Sequence, residues 1–406
     1  MRGSRGIDRQ VTSESLKHVL LIHTDGNTFN NPTLKCIVDL LLERGVQITI
    51  RYPTTRAPMP ATPGVRFLGY GQLYRRFKSI VFDRLCSLRL ARLLVFLEST
   101  IIYREFDLII GVDRQGLIEA GILNRLKGVP FVFFSFEIMF ESETSSRYKT
   151  LERIFGRRAR CWLVQDEERA ALLEEENGLD SHRKVLLPLA SKGLGTKSQR
   201  RLRDTLGIPA EKRVAMLMGS ISSWSMASEV ILSSEFWPEP WVLVVHERYG
   251  NTKEAMQAMN IPENVIQSDR IFLSQDAPDH TDDMGSVLAG VDAGLAFYRP
   301  EYRSAYTGKN IEHIGLASGK ISTFLRYGVP VVMNDIGQYA HLARTQGFGD
   351  VVDDPAGIGD ALANLDCDNA SQKALITFSE RFDFQNQEEE IWGLLLEGGR
   401  HNAAGD

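Results

Sequence analysis

Residues 317–335 read ASGKISTFLRYGVPVVMND. Ser318 is a residue type that starts helices, because its side-chain oxygen can accept one of the amide hydrogens a helix leaves unpaired in its first turn. The helix predicted from it runs through Phe324 and Leu325, and Gly328 fits the left-handed position at which helices end. The apolar run VPVVM follows at once, at 329–333, with the length of a buried strand. Together with the apolar run before it, at 293–297, this gives strand, helix, glycine and strand in close succession, the order of a crossover between parallel strands.

The alternation continues in both directions. Upstream in this half, strands are predicted at 214–218, 241–246 and 271–273, with helices near 251–259, 282–289 and 320–326, and a further helix at 338–345. Nearer the amino end, HVLLIHT at 18–24 is followed by the turn Asp25-Gly26-Asn27. Pro32 then suits the first turn of a helix that runs to about Arg44 and stops at Gly45. Further strands are expected at 46–51, 106–112, 130–135, 161–164 and 184–189, with helices near 116–126, 146–157 and 166–176. Between the two series lies ASKGLGTKSQRRL at 190–202, polar, basic and glycine-containing, which reads as a linker. The expected organisation is two doubly wound α/β domains, 1–189 and 203–378, joined by 190–202. One amphipathic helix at 379–397 follows the second sheet, within a terminal segment 379–406.

Composition narrows the function classes. A chain of 406 residues is long enough for two cores. With 43% hydrophobic and 24% charged residues it has globular composition, and its net charge of -5 makes no general case for a nucleic-acid partner. Cys36, Cys86, Cys161 and Cys367 are scattered and read as reduced thiols of a cytoplasmic protein. No apolar run reaches the ~18 residues a membrane span needs. The first ten residues are basic and polar with no apolar stretch after them, so no secretory signal is expected.

Ligands of open parallel sheets sit beyond the carboxyl ends of the strands. The amides of Ser318, Gly319, Lys320 and Ile321 would point out of a helix start beside the Lys320 ammonium, an arrangement that suits a diphosphate. The plainer alternative is a capped helix with a solvated lysine. Glu137 ends the strand PFVFFSFE, where a carboxylate could orient a hydroxyl or take its proton, or lie in solvent. His246 at a strand end reads as a packed side chain. Asp282-Asp283 and Asp353-Asp354 read as helix-start or loop carboxylates, and no metal site is expected. Gly69-Tyr70-Gly71 lacks the third glycine of a dinucleotide fingerprint, and no helix is expected to follow it.

Ser318, Lys320, Gly328, Pro330, Val331 and Val332 together resemble the donor-site signature of GT-B glycosyltransferases, in particular family 4-like enzymes. The segments 164–169 (VQDEER), 291–296 (VDAGLA) and 347–352 also look like parts of that pattern. The resemblance implies two Rossmann-like domains around a cleft, with the last helix crossing back to the first domain. It also implies sugar transfer, with retention, from a nucleotide diphosphate sugar. The donor would lie on the second half and an acceptor on the first, whether glycan, lipid-linked or small molecule. Lys320 and Glu137 would then be catalytic. Gly26, Asn27, Gly219, Ser220, Lys309, Ser318, Gly319, Lys320, Ile321 and Thr323 would line the donor site, with no cofactor or metal. Two departures stand out. The family's ribose-binding Glu is replaced by Thr323, and GSISSWS at 219–225 lacks the family's basic residue. These support an alternative, a catalytically silent binding protein; a nucleotide-sugar epimerase of the same fold is another.

One segment has a different character. Residues 74–104 carry seven cations (Arg75, Arg76, Lys78, Arg84, Arg89, Arg92 and Arg104) against Asp83 and Glu98, interleaved with large apolar residues. Such a helix can lie on the inner face of an anionic membrane, or pack on the first sheet with a solvated basic face.

Overall fold

The computed structural model describes residues 16–24, 28–54, 61–101, 105–198, 202–247, 250–275 and 283–399. Seven strands form the first sheet: β1 (His18–Ile22), β2 (Gln47–Pro53), β3 (Val65–Tyr70), β4 (Leu108–Val112), β5 (Phe131–Phe134), β6 (Trp162–Val164) and β7 (Lys184–Leu186), in the order β3-β2-β1-β4-β5-β6-β7. Six form the second: β8 (Arg213–Gly219), β9 (Trp241–Glu247), β10 (Ile271–Ser274), β11 (Ala293–Ala296), β12 (Val331–Asn334) and β13 (Gly349–Val352), in the order β10-β9-β8-β11-β12-β13. Pairing is parallel throughout, as in His18 opposite Gln47 and Ala293 opposite Ala215.

Both faces of each sheet are covered, which is why the strands read as unbroken apolar runs. In β1, Val19 and Leu21 enter one core while Leu20 and Ile22 enter the core behind it. In β8, Val214, Met216 and Met218 face one core, and Ala215 and Leu217 the other. Each sheet reverses its strand order once, between β1 and β4 and between β8 and β11. Those switch points are where crevices open at the carboxyl ends of the strands.

Three expectations differ from the structure. Residues 379–397 are not one helix. A helix over Cys367–Arg381 packs on the helix Gly319–Arg326 and stops, and a second helix, Glu388–Gly399, packs against β4, β5 and the helix Pro32–Glu43 of the first half. The break has a packing cause: Phe382 is buried in a second-half core and Phe384 in a first-half core. Asp383 between them accepts the amides of Gly193 at 2.9 Å and Gln385 at 3.0 Å, and Phe384 donates to the Ser191 carbonyl at 3.0 Å. The chain thus crosses back to the first half beside the forward connection.

The second difference is at 74–101. Helix Gln72–Ser79, extended by a wider turn over Ile80–Arg84, is separate from helix Leu88–Ile101. Cys86 breaks them with a left-handed φ of 45°. The last expected residues, 102–104, lie outside the described part. Third, Gly69-Tyr70-Gly71 closes β3 and a helix does follow, from Gln72.

Candidate functional site

At the second sheet's switch point β8 ends in Gly219, whose φ of 95° is a conformation L side chains rarely adopt. A Cβ built there would lie 3.5 Å from Cε of Lys320, so the Lys320 side chain runs directly past this turn. Its ammonium sits 5.1 Å from the ring centre of Tyr298, which follows β11. The Tyr298 ring stacks on Trp224, and its hydroxyl is 2.6 Å from Oγ of Ser318. Ser318 caps the helix Gly319–Arg326 as its residue type predicts, its Oγ accepting the Ile321 amide at 3.3 Å. The Gly319 amide has no acceptor among the described residues. Gly219 is therefore brought to the run Ser318, Gly319, Lys320 and Ile321, which lies far from it in sequence. Ser220 is exposed beside them, and Thr323 is half-buried one turn along the helix.

The stretch 219–225 carries no cation of its own, but two reach it from elsewhere. Lys320 is one. The other is Arg299, unread in the sequence: its amide donates to the Trp224 carbonyl at 2.8 Å, its guanidinium lies 3.5 Å from the Ser223 carbonyl, and it pairs with Glu229 at 2.7 Å. Its place in the run FYRP just after β11 is the one signal that could have marked it.

The first sheet's switch point is built from different groups. Gly26 and Asn27 lie outside the described residues. Before them, His23 is buried, with Nδ1 3.2 Å from the Thr28 hydroxyl, and burial pulls its pKa down to about 4, so it is neutral at physiological pH. After β4 comes Asp113, buried and left-handed with φ 51°. Its Oδ1 accepts the amides of Phe136 at 2.7 Å and Glu137 at 3.0 Å, which fixes the turn that carries Glu137. Behind this turn, buried Arg169 donates to the carbonyls of Phe136 and His313, each at 2.8 Å. Burial lowers the Arg169 pKa, while the carboxylates of Glu137, Asp166 and Asp113 oppose that shift.

The two halves are joined through residues 308–319. Asn310 brackets Ile138, accepting its amide at 2.8 Å and donating to its carbonyl at 2.6 Å. Asp166 accepts the Leu316 amide at 2.8 Å, and a Cβ on Gly315 would stand 2.0 Å from the same carboxylate, so only glycine fits. Leu189 donates to the Leu316 carbonyl at 3.1 Å. Lys309, expected beside Lys320, has its described contacts toward the first half: its amide donates to Glu143 at 2.9 Å and its ammonium lies 5.3 Å from the Phe140 ring centre. His23, Asp113 and Asn310 were not singled out from sequence. His246 is a packed side chain, 2.9 Å from the Ser274 hydroxyl, as expected. Asp354 caps a turn by accepting the Ala356 amide at 2.8 Å. Among the described residues no group of three His, Cys, Asp or Glu side chains converges as metal ligands would.

No protein-family profile matches this chain, and no curated protein sequence matches it significantly. Its shape is matched by many solved structures. The Anabaena HepE complex with UDP and glucose superposes with a TM-score of 0.65 at 15% identity, over 94% of this chain and 100% of that one. A glycosyltransferase from Rickettsia africae gives 0.65 at 12% identity, over 95% and 100%. Sucrose-phosphate synthase from Thermosynechococcus elongatus gives 0.63 at 11%, over 94% and 98%. At such identities the likeness speaks for architecture, and with two parallel sheets and a returning terminal helix this chain has the GT-B fold.

Proposed function

We propose that the cleft transfers a sugar from a nucleotide diphosphate sugar to an acceptor hydroxyl. The observation that carries this reading is the run of Lys320 past the Gly219 turn, at the switch point of the second sheet and beside the helix start at Ser318. A diphosphate there would accept from unpaired amides and lie against a cation. In the reaction the bond between the anomeric carbon and the diphosphate oxygen breaks, and its electron pair leaves with the diphosphate. The acceptor oxygen bonds to the anomeric carbon and gives up its proton, for which Glu137 is the proposed base. Lys320 helps most as the leaving group gains charge, which favours the transition state over the bound donor. With amides and Lys320 in that role, no metal or other cofactor is called for in this proposal. Retention of anomeric configuration is the expected outcome, on the resemblance to family 4-like enzymes. Solved relatives in fold support the donor class, since HepE has been captured with UDP and with UDP-glucose. A cytoplasmic setting is in keeping with four free cysteines.

The second reading, a silent binding protein, is favoured by Thr323, a hydroxyl where a ribose-binding carboxylate is expected. Incubation with a panel of nucleotide diphosphate sugars separates the readings. Release of nucleoside diphosphate with free or transferred sugar is the expected result. A 2-epimer would assign the epimerase, and binding without turnover the silent protein.

A further inference from the structure

Of the fourteen large apolar side chains exposed among the described residues, eight lie between 73 and 97. They are arranged by face. Leu73, Phe77 and Ile80 share the outer side of helix Gln72–Ser79 and its extension, with Leu73 83% exposed. Leu90, Leu93 and Leu97 share the outer side of helix Leu88–Ile101. These are not core positions left uncovered by chance, because the inner sides of both helices are already committed. Ala91 and Val95 are buried in a first-half core. Lys78 pairs with Glu119 at 2.7 Å, Arg51 pairs with Glu98 at 2.9 Å, and the Tyr74 hydroxyl donates to Glu98 at 2.6 Å, all on the inner side. One such buried network, removed from water and balanced in charge, holds the helix pair in one orientation on the sheet.

The same outer surface is basic. Arg75, Arg76, Arg84, Arg89 and Arg92 are exposed and take part in no ion pair among the described residues. Its acids are spent elsewhere: Glu98 is buried, and Asp83 pairs with Arg114 at 2.6 Å. Arg92 also adds to a wider positive field, since burial and then the charges of Arg158 and Arg92 hold the Arg125 pKa below its ordinary value. An acidic protein has thus gathered unneutralised cations around its most apolar surface.

We propose that helices Gln72–Ser79 and Leu88–Ile101 dock this protein on an anionic lipid bilayer, leucine and phenylalanine side chains among the acyl chains and arginines on the headgroup phosphates. Charge decides between occupants. A second copy related by a two-fold axis would bring the same arginines face to face, which is unfavourable. A nucleic acid would pair the arginines but leave the leucines in water. A bilayer surface satisfies both kinds of side chain, in the manner of an interfacial helix. Helix Gln72–Ser79 follows directly on β3, the edge strand of the first sheet. The surface stands whether or not the cleft transfers sugar.

Vesicle sedimentation of the full chain tests it, with phosphatidylcholine vesicles and with vesicles carrying about 30% phosphatidylglycerol. Binding is expected to the anionic vesicles, to be at least ~10-fold weaker on neutral ones, and to fall as salt rises from about 50 to about 500 mM. The double variant Arg89→Glu/Arg92→Glu should bind anionic vesicles at least ~10-fold more weakly, and Leu93→Ser/Leu97→Ser should also weaken binding, with melting curves close to that of the parent. Equal binding to both vesicle types, binding to neither, or a concentration-dependent dimer lost in the same variants would each overturn the assignment.

Discussion

At the second sheet's switch point the chain presents a helix start and an ammonium group; at the first sheet's it presents carboxylates and a buried neutral histidine. The Gly319 amide has no acceptor among the described residues, whereas the Phe136 and Glu137 amides are both held by Asp113. One wall offers donors to an incoming anion. The other spends its donors internally to fix the turn that carries Glu137. A polar group left available in a crevice suits a ligand, and a polar group already satisfied suits a support, because unmet buried hydrogen bonds are costly. On the proposed function, this difference would place the diphosphate on the second half and the hydroxyl chemistry on the first.

The largest expected effect comes from removing the cation. Lys320→Ala should lower kcat/KM by the equivalent of roughly 2–4 kcal/mol, with kcat falling as well as donor affinity. Lys320→Arg should not restore it, because a planar guanidinium does not replace a compact ammonium against the Gly219 turn. Steady-state kinetics on both variants, with melts to verify folding, would show near-normal turnover if the two walls do not differ in this way.

The supporting role of the first wall is tested by Asp113. Asp113→Ala leaves two amides unmet and should cost about 3 kcal/mol of stability. Asp113→Asn keeps an accepting oxygen and tolerates a left-handed φ, so it should cost less than about 1 kcal/mol. Urea titrations giving equal losses for the two would remove the amide-holding role.

The buried histidine adds a pH dependence. His23 titrates near 4 in the folded protein and near 6.5 when unfolded, so between those values the unfolded chain binds more protons. Stability therefore falls as pH drops through that window, by about 2 kcal/mol from pH 7 to pH 5. His23→Gln should flatten this part of the acid limb in denaturation curves; an unchanged slope would mean that His23 is not held neutral by burial. A smaller effect than the loss of the histidine or of the Asp113 carboxylate is expected from Ser318→Ala, which should cost ~1 kcal/mol of stability through the lost cap, read as a modest shift in Tm.

The parallel-sheet framework was legible because strands buried on both faces, such as Val19–Ile22 and Val214–Met218, announce themselves as apolar runs. β3 was not legible: it is an edge strand whose residues are mostly part-exposed, so VRFLGY carries no such run. The break near Phe382 was hidden because Phe382 and Phe384 are both apolar, and nothing local says that they enter different cores. At the site, the Ser318 cap could be read from residue types alone. The approach of Lys320 to Gly219 could not, since it depends on two loops meeting at a switch point. Asp113 was missed because the helix start was expected three residues later, and a left-handed aspartate leaves no mark in the apolar pattern.

A thermal-shift titration tests the proposed anion-binding wall most directly. Wild type and Lys320→Ala would be titrated with a panel of nucleoside diphosphates. At least one of them is expected to stabilise the wild type, by about 2.7 kcal/mol at 100 times its Kd. The shift should be largely lost in Lys320→Ala while the melt without ligand stays unchanged. A wild type that responds to none of them, or a variant that responds as fully as the wild type, would contradict it.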